Sequence, residues 1–130
     1  EKALLLARDI SKTLKFKHIS VLTPQEHDRM IGFLSQLTHV IAVSLMNVAD
    51  NPHLVDYTGD SFRDLTRIAN INEKLWPELF VLNKKNLTEE IDVFVQEMNA
   101  FKDLLQKEDY EGMQQKMILS SQRRKMFDKK

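Results

Sequence analysis

The ten residues from Val40 to Ala49 (VIAVSLMNVA) leave a helix almost no polar face. A helix that is apolar nearly all round has to be covered on every side. It forms the second half of a longer helical stretch. Thr23-Pro24-Gln25-Glu26 opens that stretch, with Thr23 as the cap, Pro24 at the first helical position and Glu26 completing a capping box. The helix is expected to run to about Asp50, where Asn51-Pro52-His53 breaks it. A chain of 130 residues can surround one such helix by itself, but a second copy does so more easily, so a homodimer is expected.

The remaining sequence also reads as helical. Ala3, Leu6, Ile10 and Leu14 are spaced for a first amphipathic helix over residues 1–16, followed by a short extended KHISVL. Residues 51–60 read as a loop and 61–70 as a short helix capped by Ser61 or Asp60. Asn72 starts another helix, with Pro77 tolerated in its first turn. Asn86 with Glu89 marks a further start, and Ile91, Phe94, Met98, Phe101 and Leu105 form a seam with coiled-coil spacing. A last helix begins near Asp109 and gives way to the polar tail SSQRRKMFDKK. The expected fold is a single-domain, all-α bundle of about six helices joined by short loops.

Composition removes several classes of function. Nineteen basic and nineteen acidic residues give zero net charge, without the basic excess of a nucleic-acid partner. Without cysteine there is no disulfide, no thiolate nucleophile and no Cys-ligated zinc. No apolar run approaches the ~18 residues of a membrane span and no signal peptide is visible, so a cytoplasmic protein is expected. The chain opens on Glu1 rather than Met, as a processed protein or part of a longer one would.

The apolar helix also carries His27, Ser35 and His39. At ~100° per residue, Ser35 and His39 lie ~80° and ~120° round the helix from His27, on one side of it. His27 and His39 are ~18 Å apart along the axis, too far to ligate one metal or share a proton. Ser35 and His39 are a turn apart and can meet one ligand. A hydrolytic Ser–His pair lacks a Gly-x-Ser-x-Gly elbow and a third orienting group, and the plainer reading of His39 is a core histidine satisfied by a hydrogen bond. Arg67 is open to two readings: a surface ion pair with Asp64, matching Asp60 with Arg63, or a bidentate grip on a ligand carboxylate. Trp76 suits core or interface, and His18 and His53 carry no signal.

Two segments carry a resemblance. HDRMIGFLSQLTHVIAVSL resembles the His-Asp…Ser-His-Leu-Pro-His…Ala segment of prephenate dehydrogenases. FRDLTRIANINEKLWPELFVLNK resembles that family's Phe-Arg-Asp-x-Thr-Arg-Ile-Ala…Trp…Phe…Asn segment. The order is the same, and the similarity runs from about Thr23 to Leu105. The resemblance implies the helical C-terminal domain that dimerises and completes the active-site cleft, similar to the C-terminal domains of 6-phosphogluconate dehydrogenases. NAD belongs to an N-terminal Rossmann domain that this chain lacks, having no Gly-x-Gly-x-x-Gly and no βαβ pattern. The implied reaction removes hydride from the carbon bearing the ring hydroxyl of prephenate, with decarboxylation to 4-hydroxyphenylpyruvate on the route to tyrosine.

By the same resemblance, Arg67 grips a substrate carboxylate while His39 and Ser35 line the pocket. His27 and Asp28 form an outer polar network tied to Arg67 or Asp64, Gln36 is counted with these outer cleft residues, and Trp76 lies near the cleft and the dimer contact. The family's catalytic histidine belongs to the other domain, so no catalytic residue and no metal ligand is assigned here, and the chain alone is expected to be inactive. Four departures stand out. Gln36 replaces the first histidine of Ser-His-Leu-Pro-His and Thr38 its proline, Asp60 replaces a common glycine, and Ile71-Asn72-Glu73 replaces Ser-Asp-Pro. They leave arogenate open as the substrate. A non-enzymatic helical dimerisation or regulatory module is the rival reading.

Overall fold

A computed structural model describes residues 1–48 and 50–128. Ala49, at the end of the apolar stretch, and Lys129 and Lys130, at the end of the polar tail, lie outside the described residues. Every regular element among the described residues is helical.

The capping box forms as expected. The Glu26 N–H donates to Thr23 Oγ1 at 3.3 Å, and the Glu26 carboxylate accepts the Thr23 N–H and hydroxyl, each at 2.8 Å. These bonds, the backbone one first, hold the Glu26 carboxyl below its ordinary range. The helix they start runs from Pro24 to Asn47 but is not regular. Helix α2 (Pro24–Ile31) widens into a π-helical segment (Gly32–Leu37) before α3 (Thr38–Asn47) resumes the α spacing. A π turn holds more residues than an α turn. The ~100° spacing therefore fails across Gly32–Leu37, and the angles expected between His27 and His39 do not hold. The 24-residue run is also long and apolar enough to cross a membrane, with a mean hydropathy of 1.4 in its best window, contrary to the sequence expectation. Its halves pack on other helices instead, which makes it the central helix of the bundle.

Helix α1 (Lys2–Thr13) forms without burying a single residue. Residues 51–60 are not all loop, because α4 (Leu54–Tyr57) interrupts them. Helix α5 (Asp60–Thr66) is preceded by Gly59 at the cap position with no side-chain bond, so neither Ser61 nor Asp60 caps it. A 3₁₀ turn (Arg67–Ala69) follows, then α6 (Leu75–Leu82). Helix α7 (Lys84–Gln106) starts two residues before Asn86. Asn86 does not cap it; its amide donates to Asn83 Oδ1 at 2.7 Å. Ile91, Phe94 and Phe101 of the expected seam are half-buried, whereas Met98 and Leu105 face outward. Helix α8 (Tyr110–Lys125) extends well into the expected polar tail; Asp109 Oδ1 caps it by accepting the Gly112 N–H at 2.9 Å.

The core is small. Leu37, Ala42 and Leu87 are its buried apolar residues among those described, where the π segment and α3 meet α7 and their neighbours. The accessible surface is 11610 Å² for 15.2 kDa. A globular monomer of that mass exposes roughly 7,100 Å². The excess of roughly 4,500 Å² is large for one small bundle, and it is lined with leucines and phenylalanines such as Leu6, Phe33 and Leu119.

Candidate functional site

Asn72 sets the start of α6. Its Oδ1 accepts the N–H groups of Lys74 and Leu75, both at 3.0 Å, which is the capping role expected of it. That places Trp76 in the first turn, with Pro77 beside it where no helical donor is needed. The half-buried indole lies against His39, ring centroids 3.9 Å apart and planes tilted by 30°, and against Phe80 at 5.4 Å.

His39 is held from its own helix as well. Its Nδ1 lies 2.8 Å from the carbonyl oxygen of Ser35. A carbonyl only accepts, so Nδ1 carries the hydrogen and the neutral ring leaves its lone pair on Nε2. Nε2 has no partner among the described residues, and neither does the half-buried Ser35 hydroxyl. The Thr38 hydroxyl also donates to the Ser35 carbonyl, at 2.6 Å. One nitrogen of His39 is thus satisfied internally, and the other has no partner among the described residues.

Arg67 begins the 3₁₀ turn, which packs directly on α3, the helix that carries His39. It is exposed, and the expected ion pair with Asp64 does not form among the described residues; Arg63 and Asp60 do meet, at 3.9 Å. Asp64 lies in the last turn of α5 and Arg67 opens the 3₁₀ turn. Arg67 remains a cation without an internal counter-ion among the described residues. His27 and Asp28 pair with each other at 3.1 Å on the exposed side of α2, with no bond to Arg67 or Asp64 among the described residues.

Gln36 lies deeper than the sequence suggested, at 5% exposure. Its Nε2 donates to the Leu79 carbonyl at 3.0 Å and its Oε1 accepts from Asn83 Nδ2 at 2.7 Å. Asn83 was not singled out for a role in the sequence, although it is the asparagine of the Trp…Phe…Asn segment. The largest groove described, about 730 Å³, includes neither His39 nor Arg67; Phe33, Leu37, Phe94, Lys116, Leu119 and Arg123 line it, between the π segment, α7 and α8.

The pattern for the prephenate dehydrogenase dimerization domain matches residues 23–119. The chain belongs to the prephenate dehydrogenase family. Among its relatives, prephenate dehydrogenase of Bacillus subtilis is 26% identical over 101 residues, covering 74% of this chain and 27% of that one. Cyclohexadienyl dehydrogenase of Zymomonas mobilis is 26% identical over 97 residues, 70% of this chain and 33% of that one. A. aeolicus prephenate dehydrogenase, solved in complex with hydroxyphenyl propionate and NAD+, superposes with a TM-score of 0.85 at 27% identity. That match covers 98% of this chain and 46% of the A. aeolicus chain. The chain thus spans a third or less of the curated prephenate and cyclohexadienyl dehydrogenases and about half of the solved one.

The three glycines, Gly32, Gly59 and Gly112, are far apart in sequence, so no glycine-rich phosphate loop can form, and the described residues contain no strand to precede one. Hydride acceptance is not assigned to any residue of this chain.

Proposed function

We propose that this chain is the substrate-binding and dimerisation half of an NAD-dependent prephenate dehydrogenase. The observation that carries the reading is the surroundings of His39: among the described residues its Nε2 and the Ser35 hydroxyl one turn before it have no partner, Trp76 gives an indole wall, and Arg67, without a counter-ion among those residues, stands on the turn that packs on α3. Prephenate carries two carboxylates, one ring hydroxyl and a non-aromatic six-membered ring. Arg67 supplies a fixed positive charge for one carboxylate without any pKa adjustment. Nε2 of His39 accepts a hydrogen bond from a ring hydroxyl, the Ser35 hydroxyl serves the pyruvyl group, and Trp76 gives the ring an apolar surface.

These residues bind and orient. Oxidation at the hydroxyl-bearing carbon, with loss of carbon dioxide, takes place where this half meets a dinucleotide-binding domain, which supplies NAD as hydride acceptor. His27, Asp28 and Asp64 stand further out as polar groups near the mouth of the cleft. The active form is a cytoplasmic homodimer, a state supported by the family's dimerisation role and by the excess of exposed apolar surface.

The test is prephenate-dependent NADH formation by the full-length protein that carries this domain, with arogenate measured alongside. Turnover of prephenate at a kcat/KM at least about tenfold above that for arogenate is expected. Turnover of neither leaves a non-enzymatic helical module.

A further inference from the structure

Asn83 belongs to the segment that identifies the family, yet it offers nothing to a substrate, because both ends of its amide are used inside the bundle. Its Nδ2 donates to Gln36 Oε1 at 2.7 Å and to the Asp28 carbonyl at 2.8 Å, and its Oδ1 accepts from Asn86 Nδ2 at 2.7 Å. Gln36, next in line, donates from Nε2 to the Leu79 carbonyl at 3.0 Å. The direction of every bond is fixed. The Leu79 and Asp28 carbonyls can only accept, so Gln36 must present its NH₂ to Leu79 and its oxygen to Asn83, which must then donate. No amide can flip without breaking its bonds to the others.

We infer that Gln36 and Asn83 are positioning residues for the substrate site: their amide chain sets the stack of His39 on Trp76. This rests on the site reading above. The chain fixes both halves of the stack. On one side Gln36 follows Ser35 directly, and the Ser35 carbonyl orients His39 through Nδ1. On the other, Leu79 lies one turn along α6 from Trp76. Between them Asn83, at the junction of α6 and α7, also holds Asp28 where α2 opens into the π segment. There the Gly32 N–H is shared between the Asp28 and Arg29 carbonyls. The amides pack closely on this part of the helix: a Cβ at Gly32 would sit in ordinary contact, 3.4 Å from Asn83 Nδ2 and 3.5 Å from Asn86 Cβ.

Trp76 is the only tryptophan of the chain, so its emission reads the stack independently of activity. The experiment compares Gln36→Met and Asn83→Leu, which keep bulk and remove the amides, with Gln36→His. A neutral imidazole has one donor and one acceptor, the one of each that the Gln36 amide uses here. Trp76 emission and acrylamide quenching are measured on the protein, and prephenate and NAD kinetics on the full-length enzyme. The Met and Leu variants are expected to shift Trp76 emission, increase its quenching and raise the prephenate KM by about tenfold, leaving the NAD KM within about twofold. Gln36→His is expected to restore both readouts. Folded Met and Leu variants with unchanged Trp76 emission overturn the inference. So does a Gln36→His variant as altered as Gln36→Met, and this comparison decides the matter if the Asn83 variant fails to fold. A changed emission with an unchanged prephenate KM upholds the positioning and overturns the substrate-site reading on which it was built.

Discussion

The imidazole of His39 lies 3.9 Å from the indole of Trp76, centroid to centroid, with its Nδ1 committed to the Ser35 carbonyl. One face and one nitrogen of the ring are therefore fixed by the protein, and Nε2 is what remains to meet a ligand. His39→Phe should separate these contributions. It keeps an aromatic ring against Trp76 and loses Nε2. The expected result is a fall in kcat/KM for prephenate of at least about tenfold with Trp76 emission close to wild type. Kinetics that match wild type would return His39 to a packing role.

Self-association should depend on the groove between the π segment, α7 and α8. Leu119 is 45% exposed in a single copy and lines that groove beside Lys116 and Arg123. Leu119→Arg adds a third positive charge there and removes apolar area. Sedimentation equilibrium of the unmodified protein should give twice 15.2 kDa, and Leu119→Arg should weaken the dimer by at least about tenfold. A concentration-independent single-copy mass for the unmodified protein would contradict the dimer.

The start of α2 should be acid-sensitive. Bonds from Thr23 depress the Glu26 carboxyl below its ordinary value. A depressed carboxyl adds stability that is present above its unfolded-state pKa and is lost as the pH falls through its folded-state pKa. Thr23→Ala removes the side-chain half of the box and should cost about 1 kcal/mol near neutral pH. It should also flatten the loss of stability on acidification below about pH 4.5. Urea midpoints of the two proteins at neutral and acid pH measure both effects, and parallel acid profiles would show that the Thr23 hydroxyl bond to Glu26 does not carry the dependence.

Much of this was legible in the residues. The capping box, the Asn72 start of α6 and the Asp109 start of α8 are local chemistry, in which a side chain bonds a backbone group three residues or fewer away. Two kinds of feature were not legible. Gln36 bonds Leu79 and Asn83 across 43 and 47 residues, and no local pattern distinguishes an amide that reaches another helix from one facing solvent. The π segment was hidden because Gly32–Leu37 has ordinary helical composition; its widening goes with the tertiary contacts of α7 against it. That widening spoiled the angular arithmetic for His27 while leaving the one-turn relation of Ser35 to His39 intact. Asn86 misled for a related reason, since an asparagine ahead of an apolar seam looks like a cap whether its amide meets its own helix or Asn83.

The most direct measurement is the kinetics of prephenate oxidation by the full-length enzyme with Arg67→Ala. Arg67 is exposed and pairs with no carboxylate among the described residues, so its loss should leave folding untouched. The account predicts a prephenate KM raised at least about tenfold, equivalent to about 1.4 kcal/mol of binding, with NAD affinity unchanged. An Arg67→Ala enzyme with the wild-type KM for prephenate would contradict it.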